Sequence, residues 1–165
     1  MSKSEKNLQD AFAGESQANR KYLAFAKRAE AEGYKQAAKL FRAAAAAETI
    51  HAHNHLKELG GIKSTAENLR EAIEGESYEF QKMYPQMIAD AQAEGNQNAL
   101  RTFNYANEVE KIHAALYKKA LASLSKSAET TDYYICQVCG YTAEGEAPDN
   151  CPVCKARKES FRKAE

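Results

Sequence analysis

Apolar side chains recur at three- and four-residue spacing over the first 125 residues of the chain, as Leu8 and Phe12 illustrate. This spacing is typical of amphipathic helices, and the region is rich in Ala, Glu, Lys, Leu and Gln, which favour helix. Breaks occur at Gly33, Gly60 and Gly95, where glycine fits just beyond a helix C-terminus. The pattern predicts four main helices, near residues 4–31, 35–59, 73–93 and 97–124.

Residues 60–72 are predicted to connect the second and third helices and to carry a short helical piece. Ser64 and Glu67 have the spacing of a capping box, which would restart a helix there. A connection of thirteen residues, extended at about 3.3 Å per residue, could span the length of a helical bundle.

The last part of the chain, from residue 126 onward, differs from the helical region in composition. Residues 126–132 are mostly small and polar, so they are interpreted as a linker. From Tyr133 onward come glycines, two prolines and all four cysteines of the chain. A segment this short buries too little apolar surface to fold by itself, so it needs covalent cross-links or a bound metal ion for stability. We therefore predict three parts, with boundaries at residues 1–125, 126–132 and 133–165.

Composition excludes several classes of partner. The 23 basic and 23 acidic residues give a net charge of zero, so neither nucleic acid nor an anionic membrane is expected as a partner. No apolar run approaches the roughly 20 residues that cross a bilayer, and the N-terminus MSKSEKNLQD lacks the apolar core of a signal peptide. We therefore expect a cytoplasmic protein, in which disulfides between the four cysteines are disfavoured.

Three short motifs occur twice in the same order: Gly-Glu-Ser, Ala-Glu-Gly and Glu-x-Ile-His. They begin at residues 14, 31 and 48 in the first half and at residues 75, 93 and 110 in the second. The interval between the second and third motifs is the same in both halves. The interval between the first and second is one residue longer in the second half, a difference that we place near Pro85. The bundle is therefore interpreted as two helical hairpins with one pattern of acids and histidines.

This repeat indicates a metal site. A single Glu-x-x-His often only caps or solvates a helix, because residues three apart share a face. Four-helix proteins with two metal ions use a glutamate from each of two helices and a Glu-x-x-His from each of the other two. Bridging carboxylates balance the charge of two close cations, and burying so many acids without metal would be unfavourable. The candidate ligands are Glu15, Glu48, His51, Glu76, Glu110 and His113.

The placement of ligands also predicts the topology. The two hairpins can face one another around the metals only if the connection between them runs along the bundle. The predicted fold is therefore mainly α: a ferritin-like four-helix bundle with one crossover, followed by a small cysteine-bearing domain.

Three further residues lie near this pattern. Glu79 follows Glu76 by three residues and has no acidic counterpart in the first half. It is a seventh candidate ligand, opposite His51, although a solvated glutamate is the alternative. Tyr22 and Tyr84 occupy equivalent positions two turns beyond the Gly-Glu-Ser glutamates, where they could bond ligand carboxylates or simply pack.

Two other histidines near His51 are not expected to bind metal. At about 100° per residue, His53 points roughly 160° away from His51. His55 returns to the metal face, but it lies about 10 Å along the helix from Glu48, and the repeat places Tyr117 at the matching position. Contact with a ligand or simple solvation is expected for His55.

Two C-x-x-C pairs separated by eleven residues indicate a tetrathiolate metal site. Zinc and iron both accept four thiolates, so the spacing does not choose between them. Between the first and last cysteine there are three acidic residues and no Lys or Arg. This composition disfavours a zinc ribbon that binds nucleic acid.

The order of these motifs resembles that of the rubrerythrin family over essentially the whole chain. The series is Gly-Glu, Glu-x-x-His, Gly-Glu-x-x-Glu and Glu-x-x-His, then C-x-x-C-G-Y and C-P-x-C as in a rubredoxin-like module. The resemblance implies a two-iron centre bound by Glu15, Glu48, His51, Glu76, Glu79, Glu110 and His113. It also implies a single iron bound by Cys136, Cys139, Cys151 and Cys154.

The resemblance implies a function as well: reduction of hydrogen peroxide to water. Electrons would come from NAD(P)H through a separate reductase, or from a rubredoxin, and pass through the tetrathiolate iron to the di-iron site. His51 and Glu79 would be the residues between which one iron moves. Family members are usually homodimers, in which the module of one subunit commonly serves the di-iron site of the other.

Two other functions fit parts of the sequence. One is a ferritin-like ferroxidase or an oxygen-dependent oxidase, although iron storage gives no reason for an electron-transfer module. The other is a structural or binding protein with a zinc ribbon on a metal-stabilised bundle. Metal analysis with a visible spectrum distinguishes these from a peroxidase.

Overall fold

The structure, a computed structural model, describes residues 2–124 and 130–165 and is mainly helical, as predicted. Its helical elements are α1 Lys3–Ala31, α2 Lys35–Glu58, α3 Thr65–Tyr78, a π-helical segment Glu79–Met83, α4 Tyr84–Ala93 and α5 Gln97–Ser123. The C-terminal elements are β1 Tyr133–Cys136, β2 Thr142–Glu144, a 3₁₀ turn Lys158–Ser160 and β3 Phe161–Lys163. The chain divides into two compact units, one ending at Lys63 and the other beginning at Ser64.

The helix ends follow from local sequence. Ser64 accepts a hydrogen bond from the Glu67 backbone and Glu67 bonds back to the Ser64 backbone, so the predicted capping box is confirmed. At the C-termini of α1, α2 and α4, glycine adopts a left-handed conformation and the next residue bonds to the carbonyl five residues back. This is the Schellman motif, and it confirms that all three glycine breaks end helices.

The first unit is the hairpin of α1 and α2. Its helices pack through small side chains, with Ala38, Ala45 and Ala52 buried at seven-residue intervals along α2. Small residues at a helix contact allow the backbones to approach closely. Asn19 of α1 uses that proximity to donate a hydrogen bond of 2.7 Å to the Ala45 carbonyl. The hairpin is thereby fixed in register.

The connection between the units is shorter than predicted. It comprises residues 59–64, six residues rather than thirteen, and the segment 65–72 belongs to α3. The physical reason is that the Ser64 cap starts a helix, and residues 65–74 contain no glycine or proline that would interrupt it. The half-buried side chains of Leu69 and Ile73 then give this helix an apolar face. Six extended residues reach only about 20 Å, so the estimate based on thirteen residues is wrong.

The extra residue of the second half appears as a π-helical segment. The Tyr84 backbone N–H donates to the Glu79 carbonyl, five residues back. Such a wider turn accommodates one inserted residue within an otherwise α-helical run, and it is frequent at functional sites. The segment ends at Met83, two residues before Pro85, close to where the repeat placed the insertion. The wider turn thus accounts for the eight-residue spacing from Glu76 to Tyr84, against seven from Glu15 to Tyr22.

In the second unit α5 packs along α3 and α4, and a small sheet follows it. The strands are antiparallel in the order β2-β1-β3, around a core of Cys136, Ala143, Ala147 and Cys151. Most of the predicted linker, residues 126–129, lies outside the described residues, and residues 130–132 carry neither helix nor strand. Among the described helices we find none with the length and apolar character needed to span a bilayer.

Candidate metal centres

The first unit brings one predicted set of ligands together. Glu15 projects from α1, and Glu48 and His51 from one face of α2, so that a ligand atom of each lies within 4.8 Å of the others. The His51 Nδ1 atom is 2.8 Å from Glu48 Oε2 and 3.9 Å from Glu15 Oε1. Two carboxylates and an imidazole nitrogen at these distances suit a divalent metal.

The second unit repeats the arrangement with Glu76 on α3 and Glu110 and His113 on α5. The His113 Nδ1 atom is 2.9 Å from Glu110 Oε2 and 3.6 Å from Glu76 Oε1. This set is less exposed than the first: the His113 side chain is 27% exposed, against 54% for His51. In both units the same nitrogen of the histidine faces the carboxylates.

The second set is electrostatically unfavourable without a cation. Burial raises the pKa of Glu76 to about 7, and the adjacent negative charge of Glu110 adds to the rise. Burial also raises the pKa of Glu110, opposed by a hydrogen bond with Glu76 and reinforced by the charge of Glu79. A bound cation would replace the retained proton, because it stabilises both carboxylates in their charged form. The donor set therefore fits a metal.

Glu79 lies beside this set but outside the group of three whose ligand atoms meet. Its position in the π-helical segment is half-buried, and its charge contributes to the raised pKa values of Glu110 and Tyr84. The structure thus places a third carboxyl group near the second set, beside those of Glu76 and Glu110.

The tyrosines differ between the units. Tyr22 packs with Phe25 and Phe41, at ring-centroid distances of 6.4 and 6.2 Å. Burial, followed by the charges of Glu79, Glu110 and Glu76, raises the pKa of Tyr84, which therefore faces the acids. Tyr117 was predicted only as the counterpart of His55. Burial and the charges of Glu76 and Glu110 raise its pKa as well, and its seven-residue spacing from Glu110 is the signal that could have revealed it.

Neither His53 nor His55 joins a group of three possible ligands within the part of the chain that the structure describes. His53 borders a different cavity, with Ser16, Asn19 and Thr49. His55 is half-buried one turn beyond His51. The position of His53 agrees with its predicted direction on α2, away from the face that carries Glu48 and His51.

The Glu76 carboxyl group makes the stability of the protein with a metal-free bundle depend on pH. Since its folded pKa of about 7 exceeds the ordinary value of 4.5, the folded state holds more protons in this interval and stability falls as pH rises through it. Between the two pKa values the wild type should lose on the order of 1–2 kcal/mol of its free energy of unfolding, a figure reduced for the partial exposure of the carboxyl group. We expect Glu76→Gln, which does not titrate, to remove this loss. Urea unfolding at several pH values measures this. Glu74→Gln, an exposed position on α3, should keep the wild-type pH dependence, and the same dependence in Glu76→Gln would contradict the assignment.

The four cysteines form the third site. Their thiols are free and lie within 4.8 Å of one another. Cys136 and Cys154 have sulfur atoms 3.6 Å apart, and Cys139 and Cys151 3.5 Å apart. These separations are much longer than a disulfide bond and close to the roughly 3.8 Å edge of a tetrahedron with metal–sulfur bonds of about 2.3 Å. The site fits a tetrathiolate metal ion.

Backbone geometry supports this site from both sides. Each C-x-x-C pair is followed directly by a residue with positive φ, Gly140 at 84° and Lys155 at 64°. Burial alone would raise the pKa of Cys136, but hydrogen bonds from the backbone of Val138 and Cys139 hold it below its usual value. Backbone N–H groups directed at sulfur stabilise the thiolate, which is the form that binds metal.

Paired Glu and Glu-x-x-His sets on a helical fold, together with four convergent thiols on a small sheet, define a di-iron carboxylate protein with a rubredoxin-like module. The family model described as Rubrerythrin matches residues 6–121. The model described as the rubredoxin-like domain of rubrerythrin matches residues 134–162. The chain belongs to the rubrerythrin family.

Individual relatives agree over nearly the full length. Rubrerythrin-2 of Clostridium acetobutylicum is 37% identical, covering 94% of this chain and 93% of the relative. Nigerythrin of Nitratidesulfovibrio vulgaris is 38% identical, covering 94% and 83%. A solved structure of nigerythrin in a partially reduced state is similar with a TM-score of 0.60 and 35% identity, covering 99% of this chain and 88% of that one.

The family and the donor sets together define the cofactors. They are two irons in the di-iron centre and one iron bound by the four cysteines. The zinc alternative for the thiolates is disfavoured by the rubredoxin-like match. The protein is an iron-dependent oxidoreductase.

Proposed function

We propose that this protein is a non-haem di-iron peroxidase that protects against oxidative stress. Hydrogen peroxide accepts two electrons and two protons and is released as two molecules of water. The observation that carries the proposal is the presence, in one chain, of two Glu/Glu-x-x-His sets and an electron-transfer module with four converging thiols.

The ligand roles follow the arrangement within each unit. We assign residues 1–125 to the di-iron bundle, 126–132 to the linker and 133–165 to the module. The di-iron ligands are Glu15, Glu48, His51, Glu76, Glu79, Glu110 and His113, and the single-iron ligands are Cys136, Cys139, Cys151 and Cys154. When bound, the two irons supply the electrons that break the O–O bond.

The remaining residues provide protons and adjust charge. The charges of Glu76 and Glu110 help to raise the pKa of both Tyr84 and Tyr117, which supports our assignment of their hydroxyl groups as hydrogen-bond donors to these carboxylates. Glu79 is held beside the same acids by the π-helical segment, and we assign it the exchange with His51 as the charge of the site changes. A carboxylate favours the more highly charged cation, since its attraction grows with charge.

The source of electrons is proposed to be NAD(P)H, through a separate reductase or a rubredoxin that reduces the tetrathiolate iron. Tetrathiolate irons transfer one electron at a time, and their potentials depend on hydrogen bonds to sulfur, such as those at Cys136. We further propose that the protein works as a homodimer or a higher homo-oligomer.

One experiment separates this function from its rivals: iron analysis combined with anaerobic visible spectra. A peroxidase should contain three irons per chain, lose its iron–thiolate absorption on reduction and regain it with stoichiometric peroxide. A ferroxidase would instead accumulate iron well beyond that number with oxygen. Zinc in the cysteine site would show a structural ribbon and would contradict the proposed electron path.

The role of Glu79 has its own test. We expect Glu79→Ala to slow steady-state peroxide reduction markedly while leaving the iron content nearly unchanged, because the two sets of three ligands remain. Stopped-flow assays and iron analysis of the same preparation measure both quantities. Glu74→Ala, at an exposed position of α3 five residues before Glu79, is the matched control and should turn over like the wild type. Wild-type turnover in Glu79→Ala would eliminate the assigned role.

A further inference from the structure

A side chain of the cysteine-bearing module contacts a candidate iron ligand in the same unit. The Thr142 hydroxyl, at the start of β2, lies 2.9 Å from Nε2 of His113 on α5. The other ring nitrogen of His113 is the one that faces Glu110 and Glu76. The imidazole therefore lies between the carboxylates on one side and the module on the other.

The direction of this hydrogen bond can be worked out from the threonine. A hydroxyl group has a single proton, and Thr142 donates it to the Gly140 carbonyl over 3.2 Å. The arrangement that satisfies both contacts therefore has Thr142 accepting a hydrogen bond from His113, with the proton on Nε2 of the imidazole. This holds whether the ring is neutral or charged.

The consequence for the other nitrogen follows directly. A neutral imidazole with a proton on Nε2 has an unshared electron pair on Nδ1. In His113 that atom is 2.9 Å from Glu110 Oε2 and 3.6 Å from Glu76 Oε1, within the group of possible metal ligands. Hydrogen bonds of this kind fix the tautomer and the ring orientation of metal-binding histidines.

Other contacts hold Thr142 at this point. Glu144 of the same strand forms an ion pair with Lys119, two turns beyond His113 on α5. A Cβ atom built on Gly140 would lie only 3.9 Å from Val109 of α5. A cavity of about 290 Å³ borders the His113–Thr142 pair, with Tyr117 and Tyr133 in its wall. The hydrogen bond is thus part of a docked contact between β2 and α5.

We infer that Thr142 is a positioning residue for His113, holding the proton on Nε2 so that Nδ1 is available to iron, and that it connects the module to the ligand set of its own chain. The inference rests on the proposed role of His113 as an iron ligand. The connection is a chain of two hydrogen bonds, from His113 to Thr142 and from Thr142 to the carbonyl beside Cys139. The family resemblance alone suggests delivery between subunits, whereas this contact lies within one chain.

The test uses the full chain with one equivalent of Zn²⁺, which the thiolates take first because they are the softer donors. Long-range proton–nitrogen spectra of the ¹⁵N-labelled histidines then report which ring nitrogen carries the proton, with His113 assigned from His113→Gln. We expect a slowly exchanging proton on Nε2 of His113. Thr142→Val should remove its protection from exchange, and Thr142→Ser should restore it.

Metal affinity gives a second measurement on the same samples. Mn²⁺, which favours carboxylate ligands, is titrated into the bundle. We expect Thr142→Val to bind it about 10- to 100-fold more weakly, as is typical when the partner of a ligating histidine is lost. Thr142→Ser should bind like the wild type. Thr102→Val is the matched control, because the Thr102 hydroxyl donates to the Asn98 carbonyl within α5.

Unchanged proton protection and Mn²⁺ affinity in Thr142→Val would overturn the inference. Unchanged amide spectra of β1 and β3 in this variant show that the sheet has kept its fold. Neither measurement uses iron or peroxide, so a failure of the peroxidase proposal would leave both results interpretable. Weak Mn²⁺ binding by the wild type and by His113→Gln alike would instead count against His113 as a ligand.

Discussion

We expect that replacing Cys151 and Cys154 together by serine will reduce the proposed NAD(P)H-driven peroxide turnover to the level of the metal-free protein. Cys151 is fully buried and its sulfur lies 3.5 Å from that of Cys139. Serine preserves the size of the side chain but offers a hard oxygen in place of a soft thiolate. The tetrathiolate iron is therefore lost, while the glutamate and histidine ligands are unaltered.

The expected defect is specific to electron supply. A variant bundle reduced chemically under anaerobic conditions should still oxidise with one equivalent of peroxide at nearly the wild-type rate, followed by stopped-flow spectroscopy. This single reaction serves as the internal control for an intact di-iron site. Wild-type steady-state turnover by the double variant would show that the reductase serves the bundle directly, and the proposed electron path would have to be abandoned.

The two ligand sets could be predicted from the sequence because they depend mainly on helical periodicity. Glu48 and His51 share a face whatever the tertiary structure, and so do Glu110 and His113. The repeat supplied Glu15 and Glu76 as their partners. The structure brings the ligand atoms of each set within 4.8 Å of one another inside its own unit, and the role of these residues as iron ligands stays a prediction.

The details that failed depend on how helices begin and continue. The sequence showed one inserted residue near Pro85 but not its form, because a single insertion can be accommodated as a loop, a kink or a π turn. The start of α3 at Thr65 was signalled by the Ser64 cap, yet the following residues were interpreted as a connection. A strong cap followed by uninterrupted helix formers was the better guide there.

Thr142 could not have been predicted at all. Its contact with His113 joins residues 29 positions apart in the chain, and no periodicity relates a strand of the module to a face of α5. Tyr117 is the opposite case. It lies two turns beyond Glu110, so the same helical argument that selected Tyr22 would have placed it near the acids.

The histidines of α2 provide the sharpest test of the first ligand set. We expect His51→Ala to lose one of the two bundle irons and nearly all peroxide turnover, because its Nδ1 atom is the only imidazole nitrogen in the described set with Glu15 and Glu48. His53→Ala should retain both irons and wild-type turnover. Iron analysis and steady-state assays on the two variants, prepared side by side, measure the difference.

His55→Ala tests whether the position of a histidine on α2, and not merely the number of histidines, determines iron binding. His55 lies on the same side of α2 as His51 but one turn further along, so it is too far from Glu48 to share one metal ion easily. We expect this variant to keep its iron, with at most a small change in turnover from altered contacts near the site. Loss of iron in His55→Ala equal to that in His51→Ala would mean that the helix presents both imidazoles to metal. The spacing of Glu-x-x-His would then no longer identify the ligand.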